Sequence, residues 1–182
     1  DFKKWNRSYG SKKGGIRIGW AGGASHNEDL KIIEPVVHKI LAKHKEARFV
    51  FIHGVPQFLK GIDRVEAIVK FTRIDKYPKF IASLDWDIAL APLVDNAFNR
   101  AKSNLRWLEA ASLGIPCVAS NVGHFAETIE NAIDGVLCDT SDDFERGLSA
   151  LIEDRKLRIS MGQNALHRVR EDFDVDKEVF KY

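Results

Sequence analysis

Arg100, Lys102 and Arg106 lie close together in FNRAKSNLRWLEAASLGIPCVAS, residues 98–120, where a helical pattern begins. Cations at a helix N-terminus oppose the positive end of its dipole and cost stability unless an anion sits among them. Free backbone amides at such an end, here those of Ser103 and Asn104, suit a phosphate. On a helix over Asn99–Leu113, Lys102, Arg106 and Glu109 share a face at i, i+4 and i+7. That face could hold a phosphorylated small molecule, with Glu109 accepting from both hydroxyls of a sugar diol. A solvated face with an Arg106–Glu109 pair, worth about a few tenths of a kcal/mol, is the competing reading.

Other candidate chemistry is thinner. Gly22 and Gly23 form a small-residue turn after an apolar strand, where backbone can approach a ligand. The turn matches neither the dinucleotide pattern G-x-G-x-x-G nor a phosphate loop with G-K-S/T. The histidines have no ligand-like spacing with cysteine or carboxylate, so no metal is expected. His26, His53 and His124 each follow an apolar run, which puts them near a sheet edge or in plain loops. No G-x-S-x-G element is present.

The elements that must position these residues alternate. Strands are expected at Ile16–Trp20, Phe49–Ile52, Val65–Phe71, Asp87–Leu93, after Pro116, and at Val136–Cys138. Ser25 and Glu28 have capping-box spacing ahead of a helix carrying Leu30, Ile33, Val37, Ile40 and Leu41, which Pro35 should kink or split. Asp75 is placed to cap a short helix through Ser83. Gly114 is placed to stop the helix that carries the cations. A helix led by Asp142 and Asp143 and a last one over roughly Arg155–Glu171 complete the pattern. Continuous apolar strands alternating with helices predict an open α/β fold, a Rossmann-like parallel sheet of about six strands covered on both faces. Ligands in such sheets bind beyond the carboxyl ends of the strands.

The 182 residues are 45% apolar and 30% charged, the balance of one ordinary globular domain. A net charge of +2, spread along the chain, argues against a nucleic-acid partner. No apolar run reaches the roughly 18 residues of a membrane span. Cys117 and Cys138 sit in apolar strand-like runs and read as buried thiols in a reducing compartment. The polar residues 1–15 read as a connector, 16–173 as the domain and 174–182 as a charged tail, so the chain reads as part of something longer.

The segment FNRAKSNLRWLEAASLGIPCVASNVGHFAETIENAIDGVL resembles the donor-binding, C-terminal half of a GT-B glycosyltransferase of the large retaining group 1 type. Glu109, Ala110, Gly114, Pro116, Val118, Ala119, Ser120, Gly123 and Glu127 match its layout; IGWAGG, FVFIHG and the stretch ending at Pro92 match more weakly. The resemblance implies a nucleotide-diphosphate-sugar substrate, with ribose at Glu109 and diphosphate at Ser103 and Asn104. It places the base near Phe71 and Thr72, and requires no metal or other cofactor. Two departures stand out. The first of the family's two glutamates falls at Ala101, and the Arg and Lys that follow its first strand are missing, with Gly22, Gly23 and then His26 in their region. Arg100 and Lys102 are expected to take over the phosphate charge, with Asp95 or Asn96 at the sugar.

On this resemblance the chain is the donor domain of an enzyme whose missing N-terminal domain binds a saccharide or lipid-linked acceptor. Cell-surface polysaccharide or glycoconjugate assembly in the cytoplasm, with membrane contact of the whole protein, is the implied setting. The isolated domain is expected to bind nucleotide weakly and to transfer no sugar. A non-catalytic nucleotide-sugar module, favoured by Ala101, and an epimerase of the same architecture remain the alternatives.

Overall fold

In the computed structural model, residues 5, 14–23, 26–70 and 72–174 are described. Six parallel strands form one sheet: β1 (Ile16–Ala21), β2 (Ala47–Ile52), β3 (Val65–Ile68), β4 (Ile88–Ala91), β5 (Cys117–Ser120) and β6 (Val136–Cys138). Their order is β3-β2-β1-β4-β5-β6. This is the Rossmann order: the chain winds outward to β3, returns, and winds the other way from β4. The reversal leaves a crevice beyond the carboxyl ends of β1 and β4, which pair at Ile18–Ile88 and Gly19–Ala89.

Alternation along the strands builds two cores. Ile18, Trp20, Phe49 and Phe51 face one side, under α1 (Asn27–Lys31), α2 (Glu34–Lys43) and α7 (Ser141–Glu153). Val50, Ile52, Ala89 and Ala91 face the other, under α3 (Tyr77–Ser83), α5 (Leu105–Ser112) and α6 (His124–Thr128). α4 (Ala97–Arg100) precedes α5, and α8 (Arg155–Asp172) gives Met161 to the first core and Ala165 and Val169 to the second. The four inner strands are paired on both edges, and with helices on both faces β4 and β5 are buried along their whole length.

Several sequence expectations survive in detail. The chain divides at Ile32–Ile33, and Pro35 falls in the first turn of α2, where a missing amide costs nothing. Gly114, with φ +64°, ends α5 in a Schellman arrangement: its amide bonds Ala111 O at 2.9 Å and the Ile115 amide bonds Ala110 O at 3.0 Å. Others need correction. β3 stops at Ile68 and β4 spans only Ile88–Ala91. Asp75 does not cap α3; its carboxylate takes Arg73 at 3.0 Å, and Lys76 stands at the N-cap. α1 starts at Asn27, and Glu28 pairs with Lys31 at 2.9 Å instead of closing a capping box; Ser25 lies outside the described residues. The capping box that does form is Thr140–Asp143, at the start of α7.

Of the expected connector, Trp5 is described: its indole meets Tyr77 edge-on at 6.3 Å, so this residue packs on the domain. The described part of the expected C-terminal tail is Asp174 alone.

Candidate functional site

The single helix expected over Asn99–Leu113 is two helices, and this is the main correction to the site. Asn96 caps α4 by accepting the Asn99 amide at 2.8 Å, and α4 ends at Arg100. Residues 101–104 are a connection, and α5 begins only at Leu105. Arg100 therefore sits at the C-terminal end of its helix, where a cation is favoured. It forms a two-pronged pair with Asp95 at 2.6 and 2.9 Å, so the residue expected at phosphate and one expected at the sugar neutralise each other. Only Arg106 lies in the first turn of α5. The premise that Arg100 and Lys102 crowd one helix N-terminus does not hold.

A buried carboxylate lies beside the break. Asp29 lies in α1 with 4% of its surface exposed. One oxygen accepts from the Val94 amide at 2.9 Å and from Asn99 Nδ2 at 2.7 Å. The other lies 2.8 Å from His26 Nδ1 and 3.4 Å from Lys102 Nζ. Asn99 Nδ2 also donates to Val94 O at 2.7 Å. Burial alone would raise the Asp29 pKa. The Val94 amide, His26, Asn99 and the Lys102 charge together outweigh it and hold the carboxyl below its ordinary value. Val94 and Asn99 make their bonds to it from before the break, and Lys102 makes its contact from within the 101–104 connection.

Lys102 is thus drawn to the β1/β4 crevice. Its ammonium lies 3.4 Å from His26 Nδ1 and 4.9 Å from the centre of the exposed Phe98 ring. His26, at the start of α1, packs edge-on against Trp20 at 5.9 Å. The convergence brings one cation and one imidazole from opposite sides of the crevice to the rim. Gly22 is buried beneath the Trp20 ring, which would occupy the place of any Cβ, while Gly23 is exposed. Ser103 is exposed and Asn104 half-buried, with Asn104 Nδ2 donating to Thr128 Oγ1 at 2.9 Å.

Glu109 stands on α5, one turn in from its start, half-buried against α3. The Tyr77 hydroxyl donates to Glu109 Oε2 at 3.4 Å, a long and therefore weak bond. Burial raises the Glu109 pKa against the opposing pull of Arg106 and Tyr77. The Tyr77 pKa is pushed up to about 12, by burial first and then by the Glu109 charge. The loop between β3 and α3 ends beside this pair and carries Thr72, whose Oγ1 is buried without a hydrogen-bond partner among the described residues. Phe71 lies outside the described residues.

Two cavities open on the rim. One of about 230 Å³ lies at the ends of β1 and β2, lined by Gly22, Gly23, His53 and Gly54. The other, about 500 Å³, lies at the ends of β4 to β6, lined by Leu93, Asp95, Ser120 and Asp139. Neither is lined by Lys102 or Glu109. Among the described residues no group of three or more His, Cys, Asp or Glu side chains could hold a metal ion, and no helix is long and apolar enough to cross a membrane.

Sequence reasoning missed Asp29, Asn99 and Tyr77. Asp29 is one of two acidic residues at the start of α1, and only the fold shows that it reaches Asn99 of α4. An Asn at the start of a cation-rich helix gave no signal of burial.

The Rossmann sheet, with polar groups gathered at the β1/β4 rim and a carboxylate on the helix that follows, is similar in fold to the C-terminal domain of a solved glycosyl transferase. Residues 105–168 match the family described as "Glycosyl transferases group 1". The C-terminal domain of the group 1 glycosyl transferase LpcC from Francisella tularensis is similar over 96% of this chain and 98% of that one. Its TM-score is 0.73 at 21% identity. Anabaena HepE in complex with UDP and glucose is similar over all of this chain and 54% of that one, with a TM-score of 0.74 at 17% identity. The N-acetyl-alpha-D-glucosaminyl L-malate synthase of Bacillus anthracis is 27% identical over 168 residues, 87% of this chain. The chain spans 42% of that curated relative's length.

Proposed function

We propose that this domain binds the nucleotide-diphosphate-sugar donor of a glycosyltransferase along the carboxyl rim of its sheet. Lys102, the amides of Ser103 and Asn104, and the turn at Gly22 and Gly23 receive the diphosphate. Glu109 accepts from the ribose hydroxyls, and the base lies towards Thr72 and Phe71. Asp95 and Asn96 are nearest the transferred sugar, with Arg100 held by Asp95 at the edge of the phosphates. The observation that carries this reading is the convergence of Lys102 and His26 at the β1/β4 crevice, with Glu109 one turn into the adjoining helix.

In the whole protein, the bond between the sugar's anomeric carbon and the diphosphate oxygen breaks, and an acceptor hydroxyl oxygen takes its place. The hydroxyl proton is released, and the anomeric configuration is retained. Charge that develops on the departing diphosphate is met by Lys102 and backbone amides, fixed donors that need no reorganisation at the moment of reaction. The acceptor, a saccharide or lipid-linked saccharide, is held by a second domain. The setting we propose is polysaccharide or glycoconjugate assembly at the cytoplasmic face of a membrane. Alone, the domain binds donor weakly and transfers nothing. The HepE complex with UDP and glucose supports a uridine donor.

A thermal-shift panel of UDP, GDP, ADP and their sugars tests the reading. A ligand at 100 times its dissociation constant should stabilise the fold by about 2.7 kcal/mol. If none of the diphosphates raises the melting temperature, the assignment fails.

The exposed Ala101, in the connection between α4 and α5, supports a second reading as a non-catalytic nucleotide-sugar module, because no carboxylate stands at that position. Sugar transfer by the full-length protein, lost in Glu109→Ala, would exclude it.

A further inference from the structure

Asp29 makes contacts beyond what a fold-stabilising carboxylate needs, and one of them decides the chemistry of His26. An ionised carboxylate only accepts, so the 2.8 Å contact requires His26 Nδ1 to carry a proton. The neutral ring then has a bare lone pair at Nε2, and no hydrogen bond reaches that atom among the described residues. The His26 side chain is 18% exposed and the Asp29 side chain 5%, so of the pair it is the imidazole that solvent reaches. The groups facing the ring are Asp29 from α1, Lys102 from the α4–α5 connection, and the uncharged Trp20 indole from β1. The same carboxylate oxygen anchors the Lys102 ammonium at 3.4 Å, which leaves the other ammonium hydrogens for a ligand.

We infer that Asp29 is the positioning residue of the phosphate site. It fixes His26 as the Nδ1–H tautomer with Nε2 outward, so a diphosphate is received there only with uptake of a proton at Nε2. Asp29 stays ionised to balance the imidazolium so formed, and holds Lys102 beside it. This rests on the donor-binding reading above. It makes His26 and Lys102 one unit, supplied by two segments of chain. The proton comes from solvent and leaves with the diphosphate.

Three measurements on this protein test it. In ¹⁵N-labelled protein, the neutral His26 ring should carry its proton on Nδ1, and saturating UDP should shift the Nε2 resonance. Calorimetry of UDP binding at pH 8 in buffers of different ionisation enthalpy should report uptake of up to about one proton. Asp29→Asn keeps an acceptor for Val94 and Asn99 but donates to Nδ1, so the ring should switch to Nε2–H and proton uptake should vanish, as in His26→Gln. A purely structural Asp29 would change melting temperature and leave the proton count alone. A wild-type ring protonated on Nε2, an Nε2 resonance indifferent to UDP, or proton uptake that persists in His26→Gln overturns the inference, even if Asp29→Asn does not fold. If wild type binds none of UDP, GDP and ADP, the donor-binding reading itself falls.

Discussion

Removing the charge of Glu109 while keeping its shape should cost ribose recognition specifically. In the free domain this carboxylate is half-buried, with its pKa raised by burial and only a 3.4 Å bond from Tyr77 in partial compensation. A ribose diol offers two better donors, so binding replaces one weak bond with charge-assisted ones, each worth about 1.5–3 kcal/mol. Glu109→Gln can still accept one hydroxyl, so a loss of about 2 kcal/mol is expected, or about 30-fold in the dissociation constant of UDP. Calorimetry on wild type and Glu109→Gln with UDP and 2′,3′-dideoxy-UDP closes a thermodynamic cycle. The variant should barely affect the dideoxy ligand, and the coupling should recover most of the 30-fold. Tyr77→Phe removes the competitor, so UDP should bind that variant at least as tightly as wild type. Equal losses for both ligands in Glu109→Gln would refute the argument, because the carboxylate would then act through the fold rather than through the sugar.

The remaining predictions follow the same geometry. Because only ionised Glu109 accepts from both hydroxyls and its folded pKa is raised, UDP affinity should be full above that raised value and fall as pH drops through it; titration calorimetry between pH 4 and 8 checks this. Asp29 has a depressed folded pKa, so its stabilisation is present above the unfolded carboxylate range and lost as pH falls through the folded value; Asp29→Asn should flatten that part of an acid-unfolding curve. Lys102→Met should weaken UDP binding about tenfold, the worth of a charge-assisted phosphate contact, and more than Arg100→Ala, whose exposed pair with Asp95 should leave the melting temperature unchanged. Gly162→Ala would drive a Cβ of α8 into the Gly114 carbonyl and should cost about 1–3 kcal/mol, a fall of about 2–10 °C in melting temperature.

The fold was largely legible because its signals are local. Short apolar runs such as Phe49–Ile52, too short for a helix of ordinary length, read as buried strands, Pro35 and Gly114 punctuate their helices by backbone chemistry, and the connections are long enough for parallel crossovers. Legibility failed where a residue answers to a distant partner. Asp75 has the right type and place for a cap, yet Arg73 takes its carboxylate. Asn99 and Lys102 fit a helix by propensity, yet both turn to Asp29, some 70 residues earlier in the chain. Glu109 was legible through its family layout, but the hydroxyl that guards it comes from another helix, and Tyr77 left no trace in a one-dimensional pattern.

The break between α4 and α5 is what converts a fold into a candidate site. An unbroken helix from Ala97 would have set Lys102 and Arg106 on one face, four residues apart, with Arg100 on another. Asp29 instead holds Asn99 and the Lys102 ammonium inward, α4 ends beside it, and the residues before Leu105 are left to present their amides at the start of α5. The cost is a carboxylate desolvated at the crevice, and four hydrogen-bond contacts to it offset that cost. One buried charge therefore sets where Lys102 sits and where α5 starts, and α5 in turn sets the height of Glu109 above the sheet. If that chain of dependence holds, Asp29→Asn should shift the amide resonances of Ser103, Asn104 and Leu105 while leaving those of α7 in place. Changes confined to His26 and its neighbours would break the chain at its first link.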